Sequence, residues 1–161
     1  MAMTMYLIDN NALGPLGNRK KSTFFREHCR VPAEVAYESR RAKHANLLEP
    51  VTIEMTPGML AQLADVMKTV PAGHTGLINL YTYKGTADPI LVAMAVVLST
   101  EHLFSDRWVI VTEDKEVRAK AKEFSIGTLA PRDLAEVIDA ATRVAGNRVP
   151  QGVAQGPGKV G

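Results

Sequence analysis

Four acidic residues stand where strand-like apolar runs meet predicted helices: Asp9, Glu38, Asp88 and Asp114. The first follows the run MYLI, the second lies in a predicted helix after HCRV, the third opens PILVAMAVVL, and the fourth follows WVIVTE. In an open parallel α/β sheet, the carboxyl ends of the strands and the adjacent helix starts line one crevice. We therefore expect four acids that are distant in sequence to meet at one edge of a sheet.

Converging carboxylates repel one another, and the repulsion raises some of their pKa values unless a cation neutralises them. The chain has a single cysteine, Cys29, and its four histidines show no metal-ligand spacing. A ligand set made only of oxygen atoms favours Mg²⁺ or Mn²⁺ over zinc. The set of four acids predicts a divalent metal site, although each acid taken singly is explained equally well as a helix cap, a strand end or a solvated residue.

Short apolar runs predict the strands that would position these acids. They lie at residues 5–8, 29–31, 51–55 and 108–111, and the last has the continuous apolar character of a central parallel strand. Residues 71–87 hold three glycines around LINLY, which predicts a loop that contains a weak strand. The chain therefore supplies several short, buried strands with long stretches between them.

Helices are predicted between the strands. Residues 10–21, with two glycines and a proline, predict a loop, and Ser22 is a suitable helix cap. Pro32 suits a helix N1 position, with helix expected to about residue 48, and Thr56 followed by Pro57 is a cap and N1 pair. Further helices are expected at residues 89–100, at 117–124 before a turn at Gly127, and from Pro131. This alternation predicts a three-layer α/β/α sandwich with a central, mainly parallel sheet.

The 161 residues, 46% of them hydrophobic, suit one domain, which we expect at residues 1–145. Residues 146–161 have little that packs, so we expect a disordered tail there. The lone cysteine fits a reducing compartment. No basic-then-apolar leader opens the chain, and its longest apolar run, at residues 89–98, is too short to span a bilayer. We therefore expect a cytoplasmic protein without membrane contact.

The net charge of +2 is distributed unevenly. Residues 19–43 hold eight Lys or Arg against three acids, a local balance of +5, so the remainder carries −3. This basic flank is typical of a surface that faces a polyanion, and a solvated helix face explains it equally well. Arg41 lies three residues after Glu38 and so near its helix face. The candidate RNA-binding residues in this flank are Lys20, Lys21, Arg40, Arg41 and Lys43.

The segments LIDNNAL, VPAEVAYE, ADPILVAMA and VTEDKEV resemble the four successive motifs of PIN-domain nucleases. That family includes the toxin halves of bacterial toxin–antitoxin pairs. The similarity in order and spacing covers about residues 5–140, including a closing strand and helix in IGTLAPRDLAEVI. Asn10, where Thr or Ser is common, and the extra carboxylate of Glu113 depart from the family pattern. The four motif acids correspond here to Asp9, Glu38, Asp88 and Asp114.

The resemblance implies a ribonuclease whose carboxylates hold one or two Mg²⁺ or Mn²⁺ ions. Asp9, Asp88 and Asp114 would ligate metal, and Glu38 would share in this or orient a water molecule. Asn11 and Thr112 match the polar helper positions beside the first and fourth acids. Hydrolysis would leave a 5′-phosphate and a 3′-hydroxyl.

The expected function is therefore a metal-dependent endoribonuclease that hydrolyses RNA phosphodiesters, as the toxin of a toxin–antitoxin pair or as a stand-alone nuclease. The resemblance also implies an antitoxin protein and a second copy of the chain as expected partners. The alternative is a non-catalytic PIN-like module that binds RNA or protein, against which the retention of all four acids argues. A nucleotide-binding or phosphatase-like domain is a third interpretation, but no glycine-rich phosphate loop follows the first strand.

Overall fold

The computed structural model describes residues 2–39, 45–70, 87–101 and 106–148, and of residues 45, 87 and 88 only the backbone. Within these residues a parallel sheet has the strand order β3-β2-β1-β4-β5. Its five strands are β1 Thr4–Ile8, β2 Cys29–Pro32, β3 Thr52–Ile53, β4 Arg107–Val111 and β5 Gly127–Leu129. The predicted mainly parallel sheet is thus confirmed.

The register of the sheet brings the first and fourth strands into line at one edge. β1 is central, and its last residue, Ile8, pairs with Val111, the last residue of β4. Val111 in turn pairs with Leu129 of β5. Because parallel strands end at the same edge, the residues that follow β1 and β4 emerge side by side.

Helices cover both faces of the sheet. They are α1 Asn10–Leu16, α2 Thr23–His28, α3 Ala33–Glu38, α4 Ala45–Leu48, α5 Pro57–Lys68, α6 Ala87–Thr100, α7 Lys115–Glu123 and α8 Pro131–Gly146. Successive strand residues point to opposite faces. Ile8 packs in one core with residues of α1, α2 and α8, while Leu7 packs in a second core with residues of α5, α6 and α7. The two cores confirm the predicted three-layer α/β/α fold.

Several helix starts agree with their predicted caps. The hydroxyl of Ser22 accepts a hydrogen bond from the backbone N–H of Phe25 at 3.1 Å. The hydroxyl of Thr56 accepts one from Met59 at 3.2 Å, with Pro57 as the first residue of α5. Pro131 likewise begins α8. None of the helices in the described part of the chain is both long and apolar enough to cross a membrane.

The loop predicted for residues 10–21 is wrong. The chain forms α1 there, followed by a 3-10 turn at Gly17–Lys21. The apolar residues Ala12, Leu13 and Leu16 are buried, and this burial stabilises a short helix that glycine and proline content argues against. Gly17 ends the helix with φ of 53°, a conformation that glycine adopts more readily than other residues.

The long helix predicted after Pro32 is also wrong. Pro32 is the last residue of β2 and precedes α3, which ends at Glu38. The hydroxyl of Ser39 donates a hydrogen bond to Oδ1 of Asn10 at 2.7 Å, which ties the end of α3 to the start of α1. Residues 40–44 lie outside the described residues, and the shorter helix α4 follows them. The helix therefore ends at Glu38, ten residues before the end that was expected.

Three smaller expectations also differ. The strand expected at residues 51–55 shortens to Thr52–Ile53. Gly127, where a turn was expected, begins β5, which confirms the closing strand expected in IGTL. The turn lies just before it, at Ser125, which has φ of 58°. The helix α8 extends to Gly146, one residue into the expected tail. The weak strand expected within residues 71–87 and the rest of the tail, residues 149–161, lie outside the described residues.

Candidate functional site

Asp9 follows β1 and caps the amino terminus of α1. Its Oδ1 accepts a hydrogen bond from the backbone N–H of Asn10 at 2.6 Å. Its Oδ2 accepts two more, from the hydroxyl of Thr112 at 2.6 Å and from the side-chain amide of Asn11 at 3.1 Å. Only 4% of Asp9 is exposed. Both carboxylate oxygens are therefore held in place by uncharged donors.

Burial raises the pKa of the Asp9 carboxyl above its ordinary value, because desolvation disfavours the charged form. The hydrogen bonds from Thr112, Asn10 and Asn11 oppose this effect, and the negative charge of Asp114 adds to it. Hydrogen bonds, not a cation, are what lower the pKa among the described residues. An ionised Asp9 therefore carries a free-energy cost that a bound cation would relieve.

Asp114 follows β4 and caps α7. Its Oδ1 accepts hydrogen bonds from the backbone N–H groups of Glu116 at 2.7 Å and Val117 at 3.3 Å. Asp114 is only partly buried. Its Oδ2 accepts no hydrogen bond from the described part of the chain, so lone pairs of this oxygen are available to a ligand.

The hydroxyl of Thr112 connects these two strand ends. It donates to Asp9 and accepts hydrogen bonds from the side-chain amide of Asn11 at 3.3 Å and from the backbone N–H of Asp114 at 3.0 Å. Oδ1 of Asn11 accepts a further bond from the backbone N–H of Glu113 at 3.0 Å. Thr112 is fully buried. The two expected helper residues thus meet at the edge of the sheet and fix Asp9 relative to Asp114.

Glu38 is the last residue of α3 and lies at the surface. Partial desolvation raises the pKa of its carboxyl, and the negative charge of Asp9 raises it further. Ser39, the residue after Glu38, donates a hydrogen bond at 2.7 Å to Asn10, the residue after Asp9, so the two acids lie in the same region. The structure therefore brings three of the four predicted acids, Asp9, Glu38 and Asp114, to the same region.

Asp88 lies in the first turn of α6, and its side chain is not among the described ones. α6 packs against β4 and leads into that strand after a short connection. A helix that precedes a parallel strand in this way runs back across the sheet, so its first turn lies toward the edge where the strands end. The backbone position agrees with the predicted site.

Within the described residues, no group of three His, Cys, Asp or Glu side chains is placed to hold a metal ion, and that part of the chain does not include the side chain of Asp88. Magnesium usually keeps several water ligands and binds through one or two protein carboxylates together with substrate phosphates. The oxygen donors of Asp9 and Asp114 fit that requirement. Mg²⁺ or Mn²⁺ is therefore the metal that this donor set suits.

Arg118 is a residue of the site that the sequence analysis missed. Its Nε and Nη2 donate to the backbone carbonyl of Thr112 at 3.2 and 2.8 Å, and Nη2 lies 3.4 Å from the carboxylate of Glu113. Glu113 is exposed. Arg118 stands four residues after Asp114, one turn into α7. Residues at this spacing lie on the same face of a helix, so the sequence could have predicted that Arg118 lies near Asp114. It braces the loop that presents both Thr112 and Asp114.

The basic flank contributes less free charge than its composition suggests. The ammonium of Lys20 is buried and donates to the carbonyl oxygen of Leu13 at 2.8 Å, so the expectation that Lys20 presents its charge to RNA is wrong. Lys21 is exposed. Arg19 forms a two-pronged ion pair with Asp139, both distances being 2.8 Å. The other three candidates, Arg40, Arg41 and Lys43, lie outside the described residues.

Comparison of the chain with protein-family models gave no match. Comparison with curated proteins also gave none. The similarity to PIN-domain nucleases therefore rests on the four motifs and remains a prediction from the residue pattern.

Proposed function

We propose that this chain is a Mg²⁺- or Mn²⁺-dependent endoribonuclease of the PIN type. The observation that carries the proposal is the environment of Asp9. A helix cap needs no charge, since Ser, Thr and Asn cap as well as Asp does. Asp9 is nevertheless a buried acid, and Thr112 and Asn11 use their side chains to orient it beside a second acid. A carboxylate held at such a cost is best explained by a cation that it binds.

In this proposal Asp9, Asp88 and Asp114 bind the metal, directly or through water. A bound Mg²⁺ or Mn²⁺ would supply a nucleophilic hydroxide at neutral pH and would stabilise the charge on the leaving oxygen. Asn11 and Thr112 keep Asp9 in a fixed orientation. Glu38, in the same region as Asp9, would share in binding the metal or orient the attacking water for in-line displacement.

The basic flank supports RNA as the substrate, because cations that contact phosphates supply affinity independent of sequence. Lys21 is its exposed candidate among the described residues, and Arg40, Arg41 and Lys43 complete the proposed surface. A cytoplasmic location, an antitoxin partner and a homodimer belong to the same proposal. The two partners follow from the resemblance of the four motifs, and the location follows from the single cysteine, Cys29, which fits a reducing compartment.

A second candidate is a non-catalytic module that binds RNA or protein. The observation in its favour is that Asp9 and Asp114 each already serve as a helix cap. Under this alternative the two acids are structural, and their neutralisation leaves binding intact. The two candidates therefore differ in whether the bound RNA is cut.

The test is cleavage of a labelled single-stranded RNA by the purified protein with Mn²⁺ or Mg²⁺ and with excess EDTA. We expect cleavage only with metal, and none from Asp9→Asn or Asp114→Asn. Asp65→Asn is the matched control, because Asp65 is an exposed acid on α5 that pairs with Lys68. Cleavage that persists in EDTA contradicts the metal mechanism. RNA that is bound and never cut under either metal supports the non-catalytic alternative.

A further inference from the structure

A cleft of about 420 Å³ opens beside Glu38, between α1, the 3-10 turn and the end of α3. It is lined by Asn10, Leu13, Gly14, Gly17, Lys20, Glu38, Ser39 and Leu48. Its volume lies within the range of pockets that hold small molecules. The cleft adjoins the candidate site through Asn10 and Glu38. Asn10 follows Asp9 in the chain and donates a hydrogen bond to it, and the charge of Asp9 acts on the carboxyl of Glu38.

The walls of the cleft combine apolar surface with a polar edge. Leu13 and Leu48 supply aliphatic side chains. Gly14 leaves the surface open, since a Cβ added there would meet nothing within 4 Å. At the edge, the hydroxyl of Ser39 donates to the side-chain carbonyl of Asn10, and the amide N–H groups of Asn10 remain available as donors among the described residues. A flat ring with hydrogen-bonding groups at its rim suits such a cleft.

The charges around the cleft disfavour an anion inside it. Glu38 contributes a carboxylate at the side nearest Asp9. Among the described residues that line the cleft, the lysine is Lys20, which is buried and donates its ammonium to the carbonyl oxygen of Leu13. A phosphate placed here would face a carboxylate without a free cation in the described part of the cleft. The chemistry of the described lining therefore favours a neutral occupant.

We propose that this cleft binds one unpaired nucleobase of the RNA strand, next to the phosphodiester that is cut. The inference rests on the proposed nuclease function and adds its substrate class. A base inside a duplex is stacked and paired, and it must leave the stack to enter a pocket. The cleft therefore restricts cleavage to single strands and loops.

The test narrows the cleft without touching the acids. Gly14→Leu places a side chain on its open surface. Gly14 precedes Pro15 within α1, and proline restricts the residue before it, so the fold of the variant needs its own measurement. Gly14→Ala adds a single methyl group and should have a smaller effect. Gly58→Leu, an exposed position in the first turn of α5 and outside the cleft, is the matched control. Circular dichroism and thermal melting establish that each variant is folded.

Binding is measured with a fluorescein-labelled RNA decamer in EDTA, and cleavage of the same strand is measured with Mn²⁺. Losing one base contact corresponds to roughly tenfold weaker binding, so we expect at least that loss from Gly14→Leu. Gly58→Leu should bind and cut like the wild type. A second readout that needs no protein variant uses decamers in which one base at a time is removed to leave an abasic sugar. Loss of binding should concentrate at one position beside the cut.

The outcomes separate the cleft from the nuclease activity. If the wild type cuts RNA and folded Gly14→Leu binds and cuts equally well, the base cleft is refuted while the nuclease stands. Abasic strands that bind as tightly as the intact strand refute it in the same way, since only the backbone is then recognised. If the wild type binds RNA through the cleft but never cuts with either metal, the proposed nuclease function is refuted and the binding site stands.

Discussion

The joints after β1 and after β4 have the same local structure, but the aspartate at each joint makes different hydrogen bonds. At each joint a strand ends, an aspartate follows, and its carboxylate caps the next helix. Asp9 is buried and accepts hydrogen bonds on both oxygens, two of them from side chains. Asp114 is partly exposed and uses one oxygen for two backbone amides. The orientation of the aspartate is thus fixed on both oxygens at the first joint, whereas one oxygen at the second joint can still bind a ligand.

Under the proposed metal-binding function, this difference gives the two acids different roles. We call Asp9 locked, because hydrogen bonds on both oxygens fix its orientation, and Asp114 open, because one of its oxygens keeps lone pairs for a ligand. A metal ion bound at a defined position needs a fixed ligand and an available one. Thr112 makes both roles possible, because its hydroxyl binds the side chain of Asp9 and the backbone of Asp114 at once. The arrangement of Asp9 and Asp114 therefore depends on the buried hydroxyl of Thr112.

Replacing that hydroxyl should have the largest effect. Thr112→Val keeps the shape of the side chain but leaves Asp9, Asn11 and the backbone N–H of Asp114 each short of a partner. Buried groups without partners cost free energy, and we expect the free energy of unfolding to fall by about 3 kcal/mol, as measured by urea denaturation. Thr112→Ser keeps the hydroxyl and should lose about 1 kcal/mol. Equal losses in the two variants would show that the hydroxyl does not connect the joints.

Neutralising Asp9 and neutralising Asp114 should have different effects on the stability of the metal-free protein. In Asp9→Asn the new amide group meets the donors of Thr112 and Asn11, so we expect a net loss of about 1 kcal/mol in metal-free protein. In Asp114→Asn the helix cap survives, because Asn caps as well as Asp, so the melting temperature should equal that of the wild type or exceed it. Thermal melts in EDTA measure both, and both variants should fail to cut RNA. Equal melting temperatures would remove the distinction between locked and open acids.

Removing the brace behind Asp114 should have a moderate effect. Arg118→Ala frees the carbonyl of Thr112 without touching either acid. Changes to groups that orient metal ligands typically cost about 10–100-fold in metal affinity or activity. We expect a loss in that range for Mn²⁺ affinity by titration calorimetry, with little change in fold. Arg132→Ala, at a position 83% exposed, is the control and should bind Mn²⁺ like the wild type.

The pH dependence should show the smallest effect. The pKa of Asp9 is raised in the folded protein, so between its ordinary value of 3.8 and the raised value the folded state binds more protons than the unfolded one. Stability contributed by Asp9 therefore rises as the pH falls through that window. Asn at this position does not titrate, and the deficit of Asp9→Asn relative to the wild type should grow on acidification. Urea denaturation of both proteins from neutral pH down to about pH 4 measures it, and a deficit that shrinks would contradict the raised pKa.

Much of this site was predictable because its residues follow buried strands. The apolar runs MYLI and WVIV dictate β1 and β4, and acids that follow two adjacent parallel strands within a few residues emerge at one edge. Asn11 and Thr112 were expected as helper residues only through the resemblance of the motifs. Their side-chain contacts, and those of Arg118, depend on the register of strands that are distant in sequence, which no local pattern reports.

The errors have a common physical origin in tertiary contacts. Residues 10–16 form a helix because burial of Leu13 and Leu16 outweighs the unfavourable glycine and proline content. The helix after β2 stops at Glu38, where Ser39 bonds to Asn10 of a different helix. Lys20 is buried because its long side chain reaches the carbonyl oxygen of Leu13. Each outcome was decided by a partner that local sequence does not reveal.

The register of β1 against β4 also sets an order of events during synthesis. Asp9 and Thr112 are separated by 103 residues, whereas β1 pairs with β2 through Tyr6 and Cys29 much closer in sequence. At about 5–20 residues per second, a ribosome makes Thr112 roughly 5–20 s after Asp9. Throughout that interval the nascent chain can form the β1–β2 pair, and the carboxylate of Asp9 has the donors of Asn10 and Asn11 but not the hydroxyl of Thr112. The edge of the sheet that carries Asp9 and Asp114 therefore assembles only late in translation.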